Sequence, residues 1–170
     1  MLWITHSVDE TITLGRWIGE LARTGQAIGL DGDLGAGKTQ LVRGIAQGAG
    51  VADLSLVCSP TYVLLNIYPA DPARPAGKTL YHLDAYRVHG AADFAAVGFD
   101  ELLEQNALVV LEWAARVPEL LPADSLRLAA DIIDSCSRRW TARAAGKNSR
   151  ELLARLRNAC PFTGKKMQSR

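Results

Sequence analysis

A chain of 170 residues with a net charge of +1, 48% hydrophobic and 22% charged, has the composition of one ordinary globular domain. That balance excludes an overall basic field that would recruit nucleic acid, and the widely spaced Cys58, Cys136 and Cys160 fit neither a zinc pair nor a disulfide framework, so they read as reduced structural thiols. The opening Met1-Leu2-Trp3-Ile4-Thr5-His6 lacks the basic start and apolar core of a signal peptide, and no apolar run approaches the roughly 20 residues that span a bilayer, so a soluble cytoplasmic protein is expected.

In chain order, Ser7-Val8-Asp9-Glu10 has the Ser-x-x-Glu form of a capping box. Leu14, Trp17, Ile18 and Leu21 recur behind it at helical spacing, predicting a helix over 8–22 with one face on a sheet. On periodicity alone, Thr11 is a solvated threonine in its first turn. The apolar run Ala27-Ile28-Gly29-Leu30 then enters Gly32-Asp33-Leu34-Gly35-Ala36-Gly37-Lys38-Thr39, and a helix-like segment over 39–47 follows. This is Gly-x-x-x-x-Gly-Lys-Thr in its strand–loop–helix setting. Glycines allow a tight anion-binding nest, and the helix aims the positive end of its dipole at the same point. In that setting Lys38 reaches β- and γ-phosphates, and the Thr39 hydroxyl can bind Mg²⁺.

Gly48-Ala49-Gly50 stops the second helix, whose buried stripe is Leu41, Val42, Ile45 and Ala46. Cys58-Ser59-Pro60-Thr61-Tyr62 marks a turn before an apolar strand over 63–68. Its hydroxyls either face a γ-phosphate or belong to a loop that merely enters the strand. Residues 69–78, rich in proline, read as an exposed hairpin loop and the best place in the chain for mobility. Thr79-Leu80-Tyr81-His82-Leu83-Asp84 is a strand ending on a carboxylate. Asp84 either holds Mg²⁺ through water, or orients the attacking water, or caps a turn. His82 reads as a hydrogen-bonded structural histidine and Arg87 as a surface ion pair.

Residues 91–97 look helical, and another short helix begins at Phe99, with Asp100, Glu101 and Glu104 as a solvated face. Leu108-Val109-Val110-Leu111-Glu112-Trp113 suits a central strand covered on both faces. It ends on a carboxylate at the sheet edge where ligands bind, a Walker B-like arrangement with Glu112 able to take Mg²⁺ or orient water. Trp113 packs either beside a nucleotide or in the core. Past Pro118 and Pro122, residues 125–133 alternate as a half-exposed strand, and residues 138–143 return as an antiparallel edge strand with solvated arginines. Asn148 caps a last helix with Leu152, Leu153 and Leu156 on its apolar side. The domain runs over 1–160, followed by a short basic tail over 161–170 that is expected to be disordered. The whole is an α/β chain with a three-layer P-loop NTPase-like fold, a mainly parallel central sheet and antiparallel edge strands.

Taken together, Glu10-Thr11 ahead of Leu14-Gly15, the 32–39 loop, Ser59-Pro60-Thr61-Tyr62, Tyr81-His82-Leu83-Asp84-Ala85-Tyr86-Arg87, Gly98-Phe99-Asp100-Glu101 and Glu112-Trp113 resemble, in order and spacing, the bacterial TsaE (YjeE) ATPases. The resemblance implies a small Mg²⁺-dependent ATPase, weak alone, a monomer or weak oligomer. It implies work with TsaB and TsaD to install threonylcarbamoyl on tRNA adenosine, touching tRNA through that complex and not forming the acyl bond itself. It further implies that Asp33, Leu34, Gly35, Ala36, Gly37 and Lys38 bind ATP, that Thr39 and Glu112 hold Mg²⁺, and that Asp84 helps hydrolysis. Thr11, Thr61, Trp113 and Arg139 would lie near the nucleotide, with Ser59 to Tyr62 switch-like. The pair Ala114-Ala115 departs from the family's usual proline or glycine with charged residues. A P-loop small-molecule kinase is the alternative, against which the single Arg74 in the 69–78 insertion argues. A GTP switch is disfavoured because no Asn-Lys-x-Asp-like segment reads guanine.

Overall fold

The computed structural model describes residues 1–88, 90 and 107–160. One seven-stranded sheet organises them in the order β1-β7-β6-β2-β5-β4-β3. The strands are β1 Leu2–Thr5, β2 Ala27–Gly32, β3 Leu65–Tyr68, β4 Leu80–Asp84, β5 Leu108–Glu112, β6 Ser125–Ile132 and β7 Arg138–Ala144. β6, β2, β5 and β4 run parallel to their neighbours, whereas β3 joins β4, and β7 joins β6, antiparallel. The expected fold class is therefore present. Parallel strands have both faces covered, and β4 and β5 are buried along their whole length. Strand parity then sorts the faces. Leu108 and Val110 join the core beneath the helices, and Val109 and Leu111 join the opposite core. The same parity sets Glu112 beside Leu108 and Val110, and Asp84 beside Leu80 and His82.

Helices α1 Val8–Leu21, α2 Lys38–Ala49 and α3 Lys147–Ala159 contribute to the first of these cores. Among the described residues, the opposite face is covered by the 3₁₀ turns Ala114–Arg116 and Pro118–Leu120 with Val117 and Leu121. The capping box expected at α1 is present in a shifted form: the Ser7 hydroxyl accepts from the Glu10 amide at 3.1 Å, but the Glu10 carboxylate accepts from the amide of His6, one residue before the cap, at 2.7 Å. α2 ends on Gly50 at φ +75, a left-handed stop that needs no side chain.

A pattern not read from the sequence holds α1 on α2. Gly15 and Gly19 face Gly44 and Gly48, a four-residue spacing on each helix. A Cβ at Gly15 would strike the Leu41 carbonyl oxygen, one at Gly19 the Ile45 oxygen, one at Gly44 the Ile12 oxygen and one at Gly48 the Arg16 oxygen. The two backbones touch, and no side chain separates them. This contact fixes the start of α1 beside the start of α2.

Other expectations change in detail. β7 is not the edge strand, because the unanticipated β1 pairs along it from Leu2↔Thr141 to Thr5↔Arg138 and is itself the edge. The strand expected over 63–68 begins only at Leu65, since Val63 and Leu64 close a turn on the Pro60 carbonyl. The 69–78 hairpin loop is tied down. The Asp71 amide donates to Gly50 O at 2.8 Å, the Lys78 amide to Ala49 O at 2.7 Å and Lys78 Nζ to Gly19 O at 2.9 Å. Asn148 does not cap α3. Asp124 reaches over instead, accepting from the Asn148 and Ser149 amides at 2.8 and 2.9 Å. Cys58 and Cys136 are exposed and Cys160 is buried. The helices expected over 91–104 and the tail over 161–170 lie outside the described residues. No described helix is long and apolar enough to cross a membrane.

The glycine contact is measurable. Gly44→Ala forces a methyl into the Ile12 carbonyl and the Arg16 amide of α1, and should cost about 1–3 kcal/mol of stability. The check is urea unfolding: the midpoint falls while the slope stays that of the wild type.

Candidate functional site

The 32–39 loop connects β2 to α2 at the carboxyl end of the parallel strands, where open α/β sheets bind ligands. Gly35 and Gly37 sit at φ +79 and +94, in the region that excludes most side chains, and a Cβ at Gly35 would meet only open space. Leu34 is exposed and Ala36 is fully buried, so the loop turns one residue inward as an anchor. Lys38 crosses beneath it, donating from Nζ to the carbonyls of Gly32 at 2.6 Å and Asp33 at 3.0 Å.

Three strand ends converge here. Leu30 pairs with Glu112, and Glu112 with Asp84, so both carboxylates stand at the rim beside the loop. Thr39 Oγ1 donates to Glu112 Oε1 at 2.9 Å. His82 Nε2 lies 2.9 Å from the same oxygen. Burial lowers the Lys38 ammonium below the ordinary lysine value, and the negative fields of Glu112, Asp84, Asp31 and Asp33 oppose that shift. Lys38 Nζ also sits 3.7 Å from the centre of the Trp113 ring, which stacks at 5.0 Å on Tyr86. Trp113 reaches this position through a left-handed backbone at φ +60, where Glu112 hands over to the 3₁₀ turn. Asp31 holds that turn by accepting from the Ala115 amide at 2.7 Å, and Ala114 is buried against the strand carrying Gly29. A small residue at 114 is what this close seat requires, whereas the Ala115 side chain is exposed.

Asp84 is the hub of the facing wall. Its Oδ2 accepts from the hydroxyls of Ser59 at 2.5 Å and Thr61 at 2.8 Å, and its Oδ1 accepts from the Tyr86 amide at 2.7 Å. One carboxyl group thus ties the 59–64 turn to the 85–87 turn. Among the described residues Arg87 makes no ion pair of the kind expected. It lies 4.4 Å from the centre of the Tyr62 ring and donates to the Tyr62 hydroxyl at 3.2 Å. Loop, rim and wall enclose a cleft of about 440 Å³ lined by Lys38, Thr39, Ser59, Thr61, Asp84 and Glu112 among others.

A second cleft, of about 360 Å³, lies on the other side of the loop and shares Gly35, Gly37 and Gln40 with the first. Its walls include His6, Thr11, Cys136 and Arg138. Thr11 is not the solvated residue that periodicity suggested. It is buried, and its hydroxyl is satisfied internally, 2.9 Å from the Thr5 hydroxyl and 3.2 Å from Ser7 O. Its methyl faces Gly37. The resemblance implies Arg139 near a nucleotide, but Arg139 is directed elsewhere, 3.8 Å from Asp131 and half-exposed. Arg138 is the one on the cleft, donating to Gly35 O at 3.2 Å. Parity could have found it, since Arg138 shares a face of β7 with the fully buried Trp140. The site thus gathers Asp33, Leu34, Gly35, Ala36, Gly37, Lys38, Thr39, Thr11, Thr61, Asp84, Glu112 and Trp113 around one loop.

A family model described as "Threonylcarbamoyl adenosine biosynthesis protein TsaE" matches residues 5–140, a span that begins at β1 and takes in both clefts. The chain belongs to the TsaE family. Among TsaE relatives named as tRNA threonylcarbamoyladenosine biosynthesis proteins, that of Treponema pallidum is 36% identical over 135 residues, 77% of this chain and 94% of the relative. That of Bacillus subtilis is 32% identical over 151 residues, 89% of each chain. The crystal structure of Bacillus subtilis YdiB superposes with a TM-score of 0.77 at 27% identity, covering 93% of this chain and 94% of the other. The TsaE match stops short of α3, which lies away from the clefts.

In this TsaE-family chain the 59–64 turn depends on one side chain. Asp84→Ala removes the acceptor for Ser59, Thr61 and Tyr86. The amides of Val63 and Leu64, bonded to Pro60 O, should then exchange with solvent about tenfold faster or more. Native-state hydrogen exchange checks this, with amides of β2 as the unaffected control.

Proposed function

We propose that the chain binds and slowly hydrolyses Mg–ATP in these clefts and that this cycle serves tRNA threonylcarbamoyladenosine formation, in concert with TsaB and TsaD proteins and without forming the acyl bond itself. The observation that carries the reading is the Thr39–Glu112 contact at 2.9 Å directly beside Lys38 and the glycine loop. It joins an anion cradle to a hydroxyl–carboxylate pair, and a metal triphosphate needs both together.

The donors fit Mg²⁺. Thr39 and Glu112 offer hard oxygens, and Glu112 Oε2 has no hydrogen bond from a described residue. When bound, the ion would neutralise charge on the triphosphate. Lys38 holds phosphate oxygens with an ammonium already partly desolvated, so an anionic ligand restores the stabilisation that burial removes. The loop amides and the start of α2 take the remaining phosphate charge. Asp84, with Ser59 and Thr61, orients a water for in-line attack on the γ-phosphorus, which breaks the bond to the ADP oxygen. The second cleft takes the nucleoside end, with the Thr11 methyl as a packing surface and Arg138 as its cation.

Placement disfavours the small-molecule kinase. The insertion over 69–78 that would have to serve as a lid is bonded to Ala49 and Gly50, at the far end of the 12-residue α2. That end lies about 18 Å from the phosphate loop at 1.5 Å per residue.

Four variants test the reading. Lys38→Ala should abolish Mg–ATP binding by calorimetry; unchanged affinity refutes the cradle. Glu112→Gln should keep nucleotide binding and slow hydrolysis by about 100-fold or more, a change of about 2.7 kcal/mol in the barrier. Arg138→Ala should weaken ATP by about tenfold, whereas Arg139→Ala should leave it unchanged. The function itself is checked by reconstituting tRNA threonylcarbamoylation with TsaB and TsaD: many turnovers with the wild type, and stalling with Lys38→Ala.

A further inference from the structure

His82 has no part in the roles assigned so far, yet it is a fully buried imidazole against the carboxylate the site depends on. It stands on β4 between Asn66 of β3 and Val110 of β5, two residues before Asp84. Parity aims it at the same side as Asp84 and Glu112. Its Nε2 is 2.9 Å from Glu112 Oε1, the oxygen that also accepts from Thr39. Its Nδ1 is buried with no hydrogen-bond partner among the described residues.

These contacts assign the tautomer. With the proton on Nε2, the ring donates to Glu112 and leaves Nδ1 as a bare lone pair. With the proton on Nδ1, a buried N–H would be orphaned and the Nε2 lone pair would face a carboxylate oxygen, so both changes are unfavourable. Of the two neutral forms, the Nε2–H one is therefore the better match to this pocket. Two donors then converge on Oε1 from opposite elements, β4 and α2. A glutamate side chain has several rotatable bonds, and two fixed donors on one oxygen remove that freedom. The second oxygen is thereby left unbonded by the described residues at the cleft edge.

We propose that His82 is a positioning residue that locks the Glu112 carboxylate, through an Nε2–H donor, into the orientation in which Glu112 and Thr39 present their oxygens to a hydrated divalent cation. Residues placed behind a metal ligand in this way are typically worth about 10–100-fold in metal affinity. The inference rests on the Mg–ATP reading for the cation, but its geometric half concerns the ligand-free protein.

The test has two arms. In the first, nitrogen-15 NMR of the nucleotide-free wild type reads the His82 ring. A protonated Nε2 and a bare Nδ1, with the Nε2 signal moved by Glu112→Gln, is expected. A protonated Nδ1, or no response to Glu112→Gln, overturns the proposal without any His82 variant having to fold. In the second, Mn²⁺ is titrated into wild type, His82→Gln and His82→Leu with a non-hydrolysable ATP analogue, read by electron paramagnetic resonance, with metal-free analogue binding and thermal melting alongside. His82→Leu should weaken Mn²⁺ about 10–100-fold while metal-free binding stays within about twofold, and His82→Gln, which keeps a donor near the Nε2 position, should recover most of the loss. Wild-type Mn²⁺ affinity in a folded His82→Leu overturns the proposal, as does loss that tracks melting temperature and is not recovered by glutamine. Should wild type bind no analogue at all, the ATPase reading fails, and the NMR arm alone decides whether His82 anchors Glu112.

Discussion

The site turns on one hydrogen bond, from the Thr39 hydroxyl to the Glu112 carboxylate. It closes a gap of 73 residues in sequence and exists only because several independent choices agree. β2 and β5 must be neighbours and parallel, so that the loop after one and the carboxylate after the other emerge at the same edge. Parity along β5 must turn Glu112 toward the helices. α2 must begin at Lys38, so that Thr39 falls in its first turn, facing the sheet. A shift of one residue in the β5 register would send the carboxylate to the opposite face.

Much of this was legible beforehand, because the informative residues carry local physics. The glycine loop states its own backbone geometry. The apolar run 108–111 states a fully covered strand, and the carboxylates at 84 and 112 state strand ends. What was not legible depends on partners distant in sequence. β1 is four residues long and offers too short a pattern to read alone, yet pairing with β7 gives it a place and turns the supposed edge strand into an interior one. Thr11 looked solvated because nothing within its helix announces Thr5 or the buried Trp140, whose indole donates to Thr5 at 3.3 Å. Arg138 and Arg139 are indistinguishable by composition. Only the face of β7 on which each falls separates them.

Buried polar groups around the clefts follow one rule. Each carboxylate at the rim has more than one polar partner: Asp84 accepts from Ser59, Thr61 and Tyr86, and Glu112 accepts from Thr39 with His82 Nε2 at 2.9 Å from the same oxygen. Anionic oxygens are expensive to desolvate alone and inexpensive when ringed by donors. The left-handed backbone at Leu64 and Trp113 flanks these same two carboxylates, at φ +67 and +60. Such conformations cost of order 1–3 kcal/mol each in non-glycine residues, and they occur here where the chain must turn sharply to bring Tyr62 and Trp113 to the cleft.

The glycine seam between α1 and α2 has a mechanical consequence. Because the two backbones abut with no deformable side chain between them, neither helix can slide or tilt without the other, and the Thr11 side of the smaller cleft travels with the glycine loop as one anvil. The facing wall is hung from a single aspartate and ends in solvent-facing Tyr62 and Val63. Of the two sides of the larger cleft, the wall that carries Tyr62 and Val63 is therefore the less tightly constrained one, and the helix floor is the stiff one.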